Sequence, residues 1–404
     1  MARSGKDAAA DRMAADRVGV AAGSAAVPGL QRKGQRRAGR GSLQISTFNC
    51  DTLAEAQPRA LGVTYWFDVP GQGEPYSTTI RFVGRRMDVR GKPGPADEFT
   101  VKETLDGLPA GIGPVALTTR AVGLAEGDWR VSASPTGDFR APASSVRGSR
   151  SRPRLPSTSA TGSTSFAPVM NVKAPGVTLG AWPALVALGL LAALTLQAWL
   201  GHRSALPIGT MLAVSIVASL VGVAGAKVYY LVTHRHEASS ILTVGMCIQG
   251  FVLAAITTVV VGAVAKGIPV GAFLDVTAPA LLVGMAIGRV GCFFGGCCAG
   301  RPTASSWGLW SSNRRVGVRR IPVQILESSL ALGLALLGVA ILVTWTPDPD
   351  GVVFVGLLAT YTLGRQLLFP LRDLRRQTAR GRLATMWAAG IVTCLAVVLA
   401  LLNR

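Results

Sequence analysis

From residue 177 onward the chain is a series of apolar stretches, near 177–200, 207–232, 241–265, 270–290, 323–345, 351–370 and 384–402. A helix rising 1.5 Å per residue needs about 20 apolar residues to cross the hydrocarbon of a bilayer. Within that hydrocarbon only helices and closed barrels satisfy their own backbone groups, and continuous apolar runs of this length select helices. The charge distribution agrees. Of the 21 Asp+Glu in the chain, only six lie in 177–404, too few for the surface of a soluble domain of that size. The fourth and sixth stretches carry polar residues at one end and are the marginal spans. The expected fold class for 177–404 is an all-α polytopic membrane bundle of about seven transmembrane helices.

The part of the chain before 177 differs in kind. Residues 1–42 are rich in Ala, Gly, Arg and Lys without apolar periodicity, and read as a disordered basic tail. No apolar core of a signal peptide is visible within positions 1–30. Over 43–136, short runs alternate apolar with polar residues: Ala60–Val69, Ser77–Val83, Phe99–Glu103, Val115–Arg120 and Gly127–Ala133. Gly/Pro/Asp clusters separate them, the pattern of a small all-β sandwich-like domain preceding the bundle. No group of residues in it has ligand or catalytic spacing, so it reads as a binding or spacer module whose partner is not legible. Residues 137–176 turn to Ser, Arg, Pro and Thr and read as a flexible linker.

A formal net charge of +20 invites a nucleic-acid reading, but the basic residues sit beside apolar spans. Attraction to the anionic headgroups of a lipid bilayer explains them, and no nucleic-acid partner is expected. Lys and Arg concentrate in cytoplasmic loops. On the side shared with the N-terminus stand Arg235, Arg314, Arg315, Arg319, Arg320, Arg372, Arg375, Arg376, Arg380 and Arg382. The opposite side has Arg203, Lys266, Arg404 and the acidic Asp348 and Asp350. This bias puts the N-terminal domain in the cytoplasm.

Burying an ion in lipid costs several kcal/mol, so each ionisable residue within a span needs a protein-lined reason. Arg289 ends the fourth span, Glu327 starts the fifth, Lys227 lies in the second, and Tyr361 and Arg365 lie in the sixth. Tyr361 and Arg365 are four residues apart and share one helix face. A guanidinium offers paired donors that match phosphate oxygens, so Arg289 and Arg365 together suit a phosphate clamp. The alternative is that Arg365 snorkels, or pairs with Glu327 to hold helices together.

Between the fourth and fifth spans, Gly288–Arg301 reads GRVGCFFGGCCAGR with five glycines, and Pro322–Glu327 reads PVQILE. A Gly-rich break frees backbone N–H groups, which beside Arg289 would form an anion site. Six cysteines occur, without the spacing of a disulfide framework. Cys292, Cys297 and Cys298 cluster, but adjacent cysteines do not readily face one ion and no His lies nearby. They read as small polarizable packing residues, with no metal.

The order of these pieces resembles the bacterial prolipoprotein diacylglyceryl transferases. The matching anchors are Asp275 and Pro279 leading into Gly288-Arg289-x-Gly291, then Gly300; Pro322, Gln324 and Glu327; Gly245-Met246 with Gly250; and Tyr361-x-x-x-Arg365. The resemblance covers 177–404 and nothing within positions 1–170. It implies a seven-helix enzyme of the bacterial plasma (inner) membrane. Such an enzyme transfers the diacylglyceryl group of phosphatidylglycerol to the thiol of a prolipoprotein lipobox cysteine, releasing glycerol phosphate, without a cofactor. It implies that Arg289 and Arg365 hold the phosphoglycerol part of the lipid. The resemblance marks Arg289, Arg365 and Tyr361 as catalytic candidates, and Gly291, Gly300, Gln249, Gln324 and Glu327, with the two arginines, as substrate-binding candidates. Tyr361 is the acid/base candidate, with helix packing as its alternative role.

The chemistry is consistent with the residues: charge develops on a phosphoryl oxygen, where two guanidinium groups stabilise it, and the acceptor thiol needs only partial deprotonation. At several positions the chain carries other residues than the family pattern. Gln249-Gly250-Phe251 replaces His-Gly-Gly, Cys292 an asparagine, Cys297 an acid, Ile321 a histidine and Phe369 a glutamate; Trp182-Pro183 occupies a first-span tyrosine region. Two other readings accompany the transferase: a divergent lipid transferase with the same phosphatidylglycerol pocket and another acceptor, or a non-enzymatic lipid-binding membrane protein.

Overall fold

The computed structural model describes residues 41–46, 59–136, 155–172, 174–233, 247–345, 348–373 and 381–402. Two β-sheets pack around one core. The larger has the order β1(Ser42–Ser46), β2(Arg59–Asp68), β5(Pro114–Val122), β10(Val316–Arg320), β9(Leu309–Ser312), with β8(Ser165–Phe166) also paired to β2. The smaller has the order β4(Glu98–Leu108), β3(Tyr76–Arg86), β6(Asp128–Pro135), β7(Thr158–Ser163). All these pairings are antiparallel. The five alternating runs of the sequence are thus β2 to β6. The core joins Leu61, Tyr65 and Phe67 of β2 to Phe82 of β3, Leu117 of β5 and Trp129 of β6. Strand β6 alternates buried and exposed as a half-solvated strand does, whereas β2 is buried on both faces. Helix α1(Ala167–Val172) is the cause: Ala167, Val169 and Met170 pack on Ala60.

Two expectations are corrected here. Residues 155–172 lie within the stretch 137–176 that reads as a flexible linker, yet they form β7, β8 and α1. The Thr158–Ser163 backbone pairs with β6 over Asp128–Ala133, so backbone hydrogen bonding overrides a composition without large apolar residues. The sheet boundary also crosses the expected division at 177, because β9 and β10 come from the loop between the fourth and fifth membrane helices. Residues 137–154, and 1–40 of the basic tail, lie outside the described residues.

Among the described residues seven helices follow: α2(Ala181–Arg203), α3(Ile208–Thr233), α4(Ile248–Ala265), α5(Val270–Phe294), α6(Val323–Thr344), α7(Val352–Leu368) and α8(Gly381–Leu402). Six are long and apolar enough to cross a membrane, α7 doing so with the 3₁₀ turn Phe369–Leu371 that extends it. The chain is a multi-pass membrane protein. The short apolar helix is the third, α4, with 18 residues. The fourth and sixth stretches, expected to be marginal, both qualify. Their polar ends are sheltered by protein: Tyr361 on α7 is buried. Large apolar side chains such as Leu220, Leu336, Trp387 and Leu402 point outward, as lipid-facing residues do.

Small residues set the helix pairing, since lipid offers no hydrophobic drive for helices to associate. Gly189 of α2 meets Gly284 of α5 so closely that a Cβ on Gly189 would stand 2.8 Å from the Gly284 carbonyl oxygen. The same helices share a hydrogen bond from Gln197 Nε2 to Thr277 Oγ1 at 2.7 Å. Asp275, on α5, accepts bonds from the N–H groups of Gly351 (2.7 Å) and Phe354 (2.8 Å), tying α7's first turn to α5. Pro279 packs against Gly338 of α6.

Candidate functional site

The site is built where the ends of α5, α6 and α7 meet the head loop, residues 295–322 between α5 and α6. Arg289 on the last turns of α5 forms an ion pair through Nε with Glu327 Oε2 at 3.0 Å. Glu327, on the second turn of α6, is fully buried. Arg372, just beyond the 3₁₀ turn, bonds through Nη2 to both Glu327 oxygens, with 2.6 Å to Oε2. A buried carboxylate is thereby shared by two guanidinium groups, which leaves neither partner an isolated charge. One residue further along α6, Ser328 Oγ donates to the Ala286 carbonyl at 2.8 Å and fixes α6 against α5.

Arg365 on α7 faces this group. It interacts electrostatically with Arg289, Arg372, Glu327 and Tyr361, yet has no ion-pair partner within 4.0 Å among the described residues. Helix α7 carries Tyr361 and Arg365 one turn apart, as the i, i+4 spacing requires. Tyr361 is buried, and its hydroxyl lacks a hydrogen-bond partner among the described residues. Three guanidinium groups therefore stand against one carboxylate, an excess of two positive charges in a partly enclosed place. That excess suits an anion, and the donors without a partner among the described residues are those of Arg365.

The head loop holds the site's outer wall. The turn after α5 does not expose the N–H donors expected of a glycine-rich anion cradle. The N–H groups of Gly295, Gly296 and Cys297 close back onto the carbonyls of Gly291, Phe293 and Cys292. Side chains cap its carbonyls: Arg314 Nε reaches Gly295 (2.9 Å), Gln324 Nε2 reaches Cys297 (2.9 Å), and Arg320 Nη1 reaches Gly300 (2.8 Å). Arg320 also donates to Asp373 at 2.7 Å. Burial pushes its guanidinium below the ordinary value, and the Asp373 bond opposes this. Arg372 and Asp373 thus clamp the segment after α7 to α6 and to β10 respectively.

The remaining candidates divide by position. Gln324 is buried and committed to Cys297, so it shapes the turn. Gly291 lets α2 approach, a Cβ there standing 3.2 Å from Leu185 Cβ, and Trp182 packs on Gly295. Gly300 crosses against the Ile321 carbonyl, leaving no room for a side chain, and its backbone bridges to Arg372. Gln249, at the start of α4, is exposed and bonds with Cys247, with no described contact to the Arg289 group. Gly250 packs on Gly225 of α3, while Gly245 and Met246 lie outside the described residues.

One residue escapes sequence reasoning. Arg372 sits among loop arginines and reads as a topology charge; only its pairing with the distant Glu327 marks it. The cysteine cluster is visible in the sequence, where it reads as packing; the structure gives its geometry. The sulfurs of Cys292, Cys297 and Cys298 lie within 4.8 Å of one another, beside Arg289.

A family model described as prolipoprotein diacylglyceryl transferase matches residues 169–402. A phosphatidylglycerol–prolipoprotein diacylglyceryl transferase 2 of Streptomyces coelicolor is 30% identical over 250 residues, spanning 55% of this chain and 76% of that protein. Enzymes of the same name from Clostridium tetani and a Nostoc species are 26% and 28% identical over 209 and 226 residues. They cover 49% and 52% of this chain, and 82% and 80% of their own lengths. The matched region contains every helix that carries the arginine–glutamate group, and it exceeds half of the chain; this protein belongs to the prolipoprotein diacylglyceryl transferase family of membrane enzymes.

Proposed function

We propose that the protein transfers the diacylglyceryl group of phosphatidylglycerol to the thiol of a lipobox cysteine in prolipoproteins, in the bacterial plasma membrane. The observation that carries this reading is Arg365, without an ion-pair partner among the described residues, beside the Arg289–Glu327–Arg372 group. Arg365 binds the phosphodiester, and Arg289, half committed to Glu327, supplies a second guanidinium as the phosphate becomes the leaving group. Tyr361, one turn away and with a hydroxyl that lacks a partner among the described residues, hydrogen-bonds to the bound headgroup or the reacting thiol. Gln324, Gly291 and Gly300 act indirectly, by holding the turn and the helix pair that place Arg289.

The test uses purified protein in liposomes containing phosphatidylglycerol, with a lipobox peptide. Mass spectrometry is expected to show the diacylglyceryl shift on the peptide cysteine, lost in Arg365→Ala. Since Arg365 has no ion-pair partner among the described residues, that variant is expected to keep its thermal midpoint. Transfer that persists in Arg365→Ala and in Arg289→Ala overturns the reading. A second reading, another acceptor for the same lipid, is favoured by Cys292, Cys297 and Gln249 at positions where the resemblance leads one to expect asparagine, acid and histidine. Phosphatidylglycerol turnover without modification of any lipobox peptide selects it.

A further inference from the structure

We propose that Cys292, Cys297 and Cys298 form a three-thiolate zinc site whose fourth position is open to the acceptor thiol. The inference rests on the transferase reading for the identity of that thiol, and on geometry for the metal. The three sulfurs lie within 4.8 Å of one another. Tetrahedral zinc with Zn–S bonds of about 2.3 Å sets sulfurs about 3.8 Å apart, so closing on the ion takes a displacement of about 1 Å or less.

Adjacency of Cys297 and Cys298 argues against a shared ion only while both have ordinary backbone conformations. Here Cys298 has φ +55°, following Gly296 at +65°. Left-handed backbone costs a non-glycine residue about 1 kcal/mol, and with it the sulfurs of both neighbours lie within 4.8 Å of Cys292 and of each other. Cys292, on the last turn of α5, supplies the third sulfur from a rigid element. The turn is held open for this by the bonds from Gln324, Arg314 and Arg320, and by Asp373 N–H to the Ala299 carbonyl at 3.0 Å.

Charge and ligand type select the metal. All-sulfur ligation favours zinc over magnesium or calcium. Zinc with three thiolates carries one negative charge, and the neighbouring arginines hold a surplus of positive charge; Arg289 interacts with Cys292 and Cys298, and Arg372 with Cys298. No His, Asp or Glu joins the group among the described residues. Structural zinc sites close with four protein ligands, whereas three leave a position for an exchangeable one.

Zinc deprotonates a coordinating thiol, which supplies the proton removal that the transfer needs. The acceptor thiol gives its proton to water on binding. Its sulfur electron pair forms the S–C bond to the glycerol carbon as the C–O bond to phosphate breaks. That bond's electron pair leaves on the phosphate oxygen as glycerol phosphate, against Arg289 and Arg365, and zinc stays divalent throughout.

The test begins with full-length protein purified in detergent with reductant, exposed to Zn²⁺ or Co²⁺ and desalted. Elemental analysis is expected to find about one ion per chain. Cys298→Ser and Cys292→Ser are expected to weaken it at least about 10-fold, while Cys394→Ser, on α8, leaves it intact. In the Co²⁺ protein, a lipobox peptide shifts the sulfur-to-cobalt absorption and its Cys→Ser counterpart does not. Absence of metal in wild-type protein with all thiols free overturns the site, as does recovery of these cysteines as a disulfide. Should the cysteine variants misfold, wild-type transfer decides: full activity after chelation overturns zinc and leaves the transferase standing. Zinc binding without transfer to any peptide overturns the transferase reading and leaves the metal site standing.

Discussion

Glu327 is the residue on which the site's charges balance. Replacing it with glutamine leaves Arg289 and Arg372 buried without a carboxylate, and loss of one partner from a buried pair costs about 3–5 kcal/mol. Glu327→Gln is therefore expected to lower the thermal midpoint in detergent strongly and to abolish transfer. Tyr361→Phe separates the two roles of that residue. Its hydroxyl has no partner to lose among the described residues, so the midpoint stays unchanged, while transfer falls by roughly 100-fold if the hydroxyl serves the reaction. Unchanged transfer rates assign Tyr361 to packing. In the β-sandwich, Tyr65 donates to the Pro156 carbonyl at 2.7 Å, and burial pushes its hydroxyl up to about 12. The unfolded tyrosine ionises near 10, so its contribution is complete below pH 10 and is lost between pH 10 and 12. Alkaline melting curves are expected to fall less steeply across that window in Tyr65→Phe than in the wild type.

At the scale of elements, the hairpin β9–β10 is the joint between the sandwich and the membrane bundle. Asn313 shapes its turn by accepting from the N–H of Val316 at 2.7 Å and of Arg315 at 3.2 Å. Val316 and Val318 complete the sandwich core, Trp310 stacks on Trp66 with ring centroids 5.8 Å apart, and Arg315 pairs with Glu103 of β4. The same strand ends in Arg320, which holds the Gly300 turn and Asp373. The β-sheet is thus a brace for the wall of the site. Val318→Ala is expected to cost about 1–2.5 kcal/mol. It also loosens the Gly295–Gly300 turn, seen as faster hydrogen exchange there with α2 and α3 unaffected. Exchange raised uniformly across the helices contradicts the bracing role. None of this pairing was legible in the sequence. A loop reading RRVGVRR offers one short apolar alternation, and its partner strand β5 lies far earlier in the chain, before the first membrane helix.

For the whole molecule, the charge bias bears on which side of the membrane carries the sandwich and the site. Of the ten arginines that bias the charge toward the cytoplasm, six lie among the described residues, and five of these have structural duties. Arg314, Arg315, Arg320, Arg372 and Arg382 bond to Gly295, Glu103, Asp373, Glu327 and Gln366 respectively. The rest still favour the cytoplasm. A cysteine placed at Ser306, in the head loop, is expected to resist an impermeant thiol reagent in intact cells and to react after lysis. Labelling in intact cells puts the site outside and attributes the bias to internal ion pairs.

The sequence by itself determined the membrane class, the helix positions and five of the ten described strands, because hydropathy and period are local properties. It also marked Arg289, Glu327, Tyr361 and Arg365, since an ion or hydroxyl at membrane depth is conspicuous wherever its partner lies. Only the tertiary structure decided what those residues do to one another. It brought Arg372 to Glu327 and left Arg365 without an ion-pair partner among the described residues. It turned Asp275, Gln324 and Gly300 into supports, and closed three cysteines into one group through a left-handed residue. Each of these depends on contacts between distant segments and on a backbone angle, and neither leaves a periodic trace in the chain.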